Sequence, residues 1–361
     1  MMNWETLAQT MPKEINGVPI DAAIITSEEN CRYISGFHAS ARVVVVTREI
    51  AYLLTDFRYG EAARMQVKDC KIVVYQRLAK SIEEILRRHD IRGVLLEHEN
   101  LTLAQADIYE TVCKQWNAVP VKDTTLDTLL KEMRAVKTEK EIENIKAAQS
   151  ITDAAFTHIL NYIDTNKSER EIALELEFFM RKQGAEKIAF DTIVVSGTNG
   201  SMCHGVPSDK KIQKGDFITM DFGAVVNGYH SDMTRTVAYG TVSEAQKQVY
   251  QTVLQAQLAA IQTATSGIPC NQVDKAARDI IDVNYAGTFG HTTGHSVGLE
   301  IHEWPYFAPA CQVITKPGMV ITVEPGIYLE GKFGVRIEDM VLIQENGCEN
   351  LTGSAKELLI L

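Results

Sequence analysis

The chain has 361 residues, 45% of them hydrophobic, a length and composition that suit two globular domains. Its 47 acidic residues against 36 basic ones give a net charge of -11, so there is no basic stripe to neutralise phosphates, and nucleic acid is set aside as a partner. Seven cysteines without a C-x-x-C pair speak against a disulfide framework or a structural zinc cluster and for a reducing cytoplasm. The charged, polar start MMNWETLAQTMPKEING and the lack of any apolar run near ~18 residues argue against a signal peptide and a membrane span.

In chain order, short apolar strands are expected at residues 22–25, 43–46, 51–54, 72–75 and 94–97, with helical stretches at 80–89 and 102–116. This pattern predicts a small α/β domain over residues 1–130. Thr138 and Glu141 form a capping box that opens a helix reaching about residue 163. A second box, Ser168 with Glu171, starts a helix that stops at Gly184, a residue suited to the left-handed position past a helix end. Further helices are expected at 243–265 and 271–285, and strands and turns fill 190–240 and 288–345. Residues 131–361 therefore read as an α+β domain, with helices grouped apart from an antiparallel sheet.

Asn227-Gly228 between two β-rich runs predicts a hairpin. If Val226 faces Tyr229, then Gly223 faces Asp232, and Asp221 shares a face with Asp232 as its diagonal neighbour, roughly 7–8 Å away. A glycine at 223 is expected to leave room between the acids. Taken singly, either aspartate would pass for a solvated strand residue. Two like charges 4 Å apart repel by about 4 kcal/mol at an effective dielectric of 20, so converging carboxylates call for protons or cations. A metal is the economical answer.

Three later segments add ligand-type residues in apolar surroundings: 290–303 with His291, His295 and His302, 320–328 with Glu324, and 334–340 with Arg336 and Glu338. Arg336 and Glu338 alternate with apolar neighbours and are expected on one face of a strand. Each alone would pass for a rim residue or a satisfied loop histidine; the set is what points to a site. Gly294-His-Ser-Val-Gly298 spells G-x-S-x-G, the turn that carries a nucleophilic serine. That turn must lead into a helix, with an acid and a histidine following. Residues 299–305 read instead as a strand, and no histidine follows His302, so Ser296 is rejected as a nucleophile. There is no H-E-x-x-H motif for a zinc helix either.

The order Asp221, Asp232, His295, Glu324, Glu338 resembles the pita-bread metallopeptidase family, which includes aminopeptidase P, prolidase and methionine aminopeptidase. MDFGA, SDMTRT, TGHSVGLEIHE, VEPGIY and RIED are similar to that family's five metal-binding segments. NCRYISGF at 30–37 and TDFRY at 55–59 look like the creatinase-type N-terminal domain of its proline-directed branch. The resemblance implies that Asp221 chelates one metal, Asp232 and Glu338 bridge two, and His295 with Glu324 completes the second. Four carboxylates and one imidazole suit manganese or cobalt, with zinc and iron as alternatives. By the same resemblance a bridging water is the nucleophile, Glu324 shuttles its proton, and His204 and His302 contact the substrate carbonyl. Arg336 orients Glu338, and His291 lines the proline side. Two departures touch the pocket: Met202-Cys203 precedes His204 where the family usually has Leu-Pro, and Ser296 stands where it usually has glycine.

Within the proline-directed branch, an aminopeptidase removes the first residue from Xaa-Pro peptides, whereas a prolidase cleaves the dipeptide and must hold a free carboxylate. Prolidases often carry an arginine shortly after the His-Glu of the fourth segment, and here Tyr306 stands at that point. The expectation is therefore an Xaa-Pro aminopeptidase acting on short proline-containing peptides, a cytoplasmic homodimer by family resemblance. A creatinase-like amidinohydrolase or a non-catalytic pita-bread module would typically have lost the metal ligands, and all five are present.

Overall fold

The computed structural model describes residues 2–361. The chain divides between Arg134 and Ala135 into two compact units, each with its own apolar core. Among the described residues no helix is long and apolar enough to cross a membrane.

The first unit is built on a six-stranded mixed sheet, ordered Lys71–Val74, Ala51–Thr55, Arg42–Thr47, Ala22–Ile25, Gly93–Leu96 and Val119–Val121. Strands 22–25, 51–55 and 93–96 are buried throughout, which is why they read as unbroken apolar runs instead of alternating ones. Helices Leu78–Arg88 and Leu103–Gln115 supply Ile82, Leu86, Val112 and Cys113 to the core. The sheet's last strand, Val119–Val121, has no counterpart among the expected strands. Pro120 lies in it, and proline is tolerated there because the strand is an edge. Glu97 directly follows strand Gly93–Leu96 and is fully buried. Donors surround it: the Thr26 amide and hydroxyl, the Ser27 amide at 2.8 Å and hydroxyl at 2.7 Å, and Asn30 Nδ2 at 2.8 Å.

In the second unit both capping boxes form, Thr138 with Glu141 and Ser168 with Glu171, opening helices Glu139–Ile159 and Glu169–Lys182. The first helix ends a turn before residue 163, and Gly184 takes φ +103° as the second terminates. Helices Glu244–Thr263 and Cys270–Tyr285 pack on each other, and all the named strands of this unit pair antiparallel.

The Asn227-Gly228 turn has positive φ at both residues, and Val226 faces Tyr229 as expected. The same register continues beyond a break, where Phe222 faces Met233 and Asp221 faces Thr234. Gly223 sits at that break with a role other than the expected one. A Cβ there would come within 1.9 Å of the Ser231 carbonyl oxygen, so the glycine permits a backbone approach and does not clear space between the acids. Two other expectations are corrected. Residues 334–340 are not one strand: Phe333–Arg336 pairs with Gly326–Leu329, Asp339–Ile343 pairs with Val320–Val323, and Glu338 lies at the junction, its amide bonded to the Thr234 carbonyl. Nor do residues 299–305 form one strand, because residues 299–302 bend before strand Glu303–Phe307 begins.

Candidate metal centre

One cavity of about 450 Å³ in the second unit is lined by all ten residues singled out from the sequence: Asp221, Asp232, His295, Glu324, Glu338, His204, His302, His291, Tyr306 and Arg336. Four local devices bring them together. The hairpin register sets Asp221 in strand Phe217–Phe222 beside strand Met233–Ala238, which Asp232 directly precedes. Strand Gly294–Ser296 carries His295, whose backbone amide donates to Thr322 Oγ1 at 3.0 Å. Strand Val320–Val323 ends just before Glu324, and the junction described above delivers Glu338. Helix Cys270–Tyr285 holds the segment around His291: Arg278 donates to the carbonyls of Phe289 and His291, while buried Asp274 accepts from the Thr293 hydroxyl at 2.8 Å.

Asp232, His295 and Glu338 are the tightest group, with one potential ligand atom from each lying within 4.8 Å of the others. His295 Nε2 stands 3.4 Å from Asp232 Oδ2 and 3.4 Å from Glu324 Oε1. Asp221 lies to one side and accepts from Arg336 Nη2 at 2.5 Å. Arg336 reaches Glu338 through one intervening side chain. Its Nε donates to Thr234 Oγ1 at 2.9 Å, and that hydroxyl in turn donates to Glu338 Oε2 at 2.7 Å, so Thr234 stands between them. Three carboxylate oxygens, Asp221 Oδ1, Asp232 Oδ1 and Glu338 Oε1, are buried and receive no hydrogen bond.

The electrostatics follow from crowding acids in a desolvated space. Burial pushes Asp232 up to about 6 and Glu324 up to about 7, with neighbouring carboxylates adding to the shift and His295 opposing it. Burial, then Asp232 and Glu324, drive Glu338 well above the usual carboxylate range. Burial opposes charge on His295, but the hydrogen bond to Asp232 and the Glu324 charge outweigh it and lift the imidazole to about 9. His302 goes the other way, to about 4, through desolvation and the facing His295. The two rings meet edge to face at 4.4 Å.

Sequence reasoning passed over Thr234 and Tyr328, and over the apolar walls Phe190, Ile193 and Ile301. Thr234 was within reach, because it follows Asp232 by two positions in a run that reads as strand. Tyr328 gave no such signal. It bonds His291 Nε2 and Arg336 Nη1, both at 2.9 Å, from the strand Gly326–Leu329 that pairs with Phe333–Arg336. Ser296 is buried with its hydroxyl donated to the Val320 carbonyl, which is no position for a nucleophile.

The pattern of metallopeptidase family M24 matches residues 143–345, which span all five acid and histidine segments. The chain belongs to that family. Residues 9–136 of this metallopeptidase match the creatinase/prolidase N-terminal domain. It is 39% identical to the Xaa-Pro dipeptidase of Pyrococcus furiosus over 94% of this chain and 95% of that one. The solved Xaa-Pro dipeptidase from Bacillus anthracis superposes with a TM-score of 0.90 at 41% identity, covering 96% of each chain. The X-Pro aminopeptidase from Thermotoga maritima does so with a TM-score of 0.88 at 36% identity, over 95% of this chain and 98% of that one. The fold is the α+β pita-bread arrangement preceded by a creatinase-type domain, and the enzyme is a metal-dependent hydrolase of peptides.

Proposed function

We propose that this metallopeptidase is an Xaa-Pro aminopeptidase, cleaving the bond between the first residue and a proline in second position of short peptides. It would use two divalent ions held by Asp221, Asp232, His295, Glu324 and Glu338. The observation that carries the ligand assignment is the trio of buried carboxylate oxygens that no donor reaches, gathered in one cavity with an imidazole. Buried anions without donors are costly unless cations meet them. Asp221, Asp232, Glu338 and Glu324 would supply the oxygen donors and His295 the nitrogen donor. The hard, oxygen-rich donor set favours manganese or cobalt over zinc and iron.

When bound, two such ions supply a polarised scissile carbonyl and a hydrolytic water acidic enough to react at neutral pH. This chain's own residues do the rest. Glu324 takes the proton of that water and returns it to the leaving nitrogen. His204 and His302, exposed at the cavity wall, donate to the carbonyl oxygen as charge develops on it. Arg336 fixes Asp221 directly and Glu338 through Thr234, while His291 and Tyr306 flank the proline. All seven cysteines are free thiols, in keeping with work in the reducing cytoplasm, and the active form is a homodimer.

The names of the relatives support the proline preference. A dipeptidase must also hold the free carboxylate of its proline, and Arg336 is the one arginine or lysine lining the cavity among the described residues. Its guanidinium is already committed to Asp221, Thr234, Tyr328 and the Cys203 carbonyl, which favours longer peptides. The second reading, an Xaa-Pro dipeptidase, is favoured by 41% identity to the Bacillus anthracis protein of that name. Manganese-loaded enzyme should cleave Xaa-Pro-Yaa-Zaa faster than Xaa-Pro. Cleavage of the dipeptide alone selects the second reading, and cleavage of neither, with full metal content, removes both. Chelation should abolish turnover, and manganese should restore it.

A further inference from the structure

Lys137 lies outside the cavity that holds the candidate ligands, and the chemistry above makes no use of it. Its side chain is 1% exposed and ends in a buried cluster on the far side of strand Gly294–Ser296. The Nζ lies 3.2 Å from Glu303 Oε2, a carboxylate 4% exposed, and donates to Ser296 Oγ at 2.8 Å. Those two partners directly follow two of the site's histidines, His295 and His302. Adjacent strand residues point to opposite faces, so His295 turns into the cavity while Ser296 turns toward the lysine.

The pairing of this strand with Glu303–Phe307 is irregular. His295 faces Tyr306, but the next residue, Ser296, faces Glu303, so the register shifts between them. Such a bulge bends a strand and re-aims the side chains beside it. Here it leaves His302 at the bend, with its ring against His295 at 4.4 Å. The Glu303 carboxylate also fills the inside of that bend: it accepts from the Glu300 amide at 3.2 Å, and a Cβ on Gly298 would lie 2.6 Å from its oxygens.

We infer that Lys137 is a positioning residue: its ammonium bridges the two residues facing each other at the bulge and thereby aims His302 at the substrate carbonyl. The inference rests on the reading of His302 as a substrate contact. Backbone bonds anchor the lysine itself, since its amide donates to the Gly318 carbonyl at 2.9 Å and Val136 pairs with Met319. The charge is therefore delivered from a fixed point.

The test uses the full-length, metal-loaded protein with Lys137→Met, Glu303→Gln and the double variant. Removing one partner of a buried pair leaves the other charge poorly compensated, whereas the double variant removes both charges and keeps the fold measurable. In the double variant kcat should fall about 10–100-fold, the range expected when a reacting group is misplaced by about an ångström. KM should stay within about threefold, since binding precedes the step that His302 assists. Metal content and the melting transition should match the parent. The single variants should lose as much kcat as the double, because all three break the same bridge. Histidine-labelled, zinc-loaded protein gives a readout that needs no turnover: the ring resonances of His302 should shift in the double variant while those of His158 do not. If the parent cleaves no Xaa-Pro peptide, the function is wrong, and this spectrum alone still judges the bridge. An unshifted His302 with kcat within twofold of the parent overturns the inference, as does a loss of kcat that only tracks lost metal or lost folded protein.

Discussion

Glu97 in the first unit and Glu338 in the second are both buried carboxylates, 0% and 1% exposed. Their surroundings differ in one respect. Backbone amides, hydroxyls and an asparagine amide reach both oxygens of Glu97, whereas Glu338 accepts from Thr234 alone and its Oε1 has no donor. A buried acid whose lone pairs are all met serves the fold, here tying the ends of two strands to the start of helix Glu28–Ser35. A buried acid left open, beside others left open, needs a cation. Counting donors separates the two cases where counting acids does not, since Glu169 is equally buried and equally well met by Ser196, Asn199 and Ser208.

The largest effect should come from breaking the open acid. Glu338→Gln should lower kcat about 10³-fold or more, in line with several kcal/mol of lost Lewis-acid stabilisation. Metal analysis should find less than the full complement, and urea unfolding of the metal-free chain should be unchanged or shifted to higher urea. A variant that loses stability and keeps its metals would erase the contrast. The satisfied acid should show the reverse pattern. Glu97→Ala should cost about 3 kcal/mol in urea unfolding, because it strands donors in the interior, while metal content and kcat of the folded fraction stay at parental values. The smallest effect sharpens the contrast at the surface. Hydrogen bonds from Lys114 and Lys122 hold Glu110 down at about 2. Its stabilising contribution is complete above the ordinary carboxylate value of 4.5 and fades as pH falls toward 2. The group is exposed and screened, so Glu110→Gln should flatten the acid limb of the melting curve only slightly.

Much of this candidate centre was legible because most of its acids and its histidine lie where sequence periodicity works. The Asn227-Gly228 turn fixes the register of one hairpin, and that register alone sets Asp221 beside the strand that Asp232 opens. The capping boxes at Thr138 and Ser168 announced their helices for a similarly local reason. Where the chain leaves one sheet for another, periodicity fails. Arg336 and Glu338 looked like one strand face, yet the chain changes partners between them, and Thr234 supplies the link that strand alternation was expected to give. Tyr328 meets His291 and Lys137 meets Ser296 across 37 and 159 residues, and nothing near them in the sequence carries that information.

The bonds around His291 have a direction. Arginine can only give hydrogens, so the Tyr328 oxygen receives from Arg336, and the phenol proton is left for His291 Nε2. That nitrogen must then be bare, which puts the ring's single proton on Nδ1, facing the Thr292 carbonyl at 2.9 Å. Burial, seconded by the Arg336 charge, holds the ring neutral down to about 3. With both nitrogens engaged, the imidazole has only carbon to show the cavity. A ligand meets it as a rigid, uncharged aromatic panel, a surface that accepts a saturated ring and offers nothing to a carboxylate.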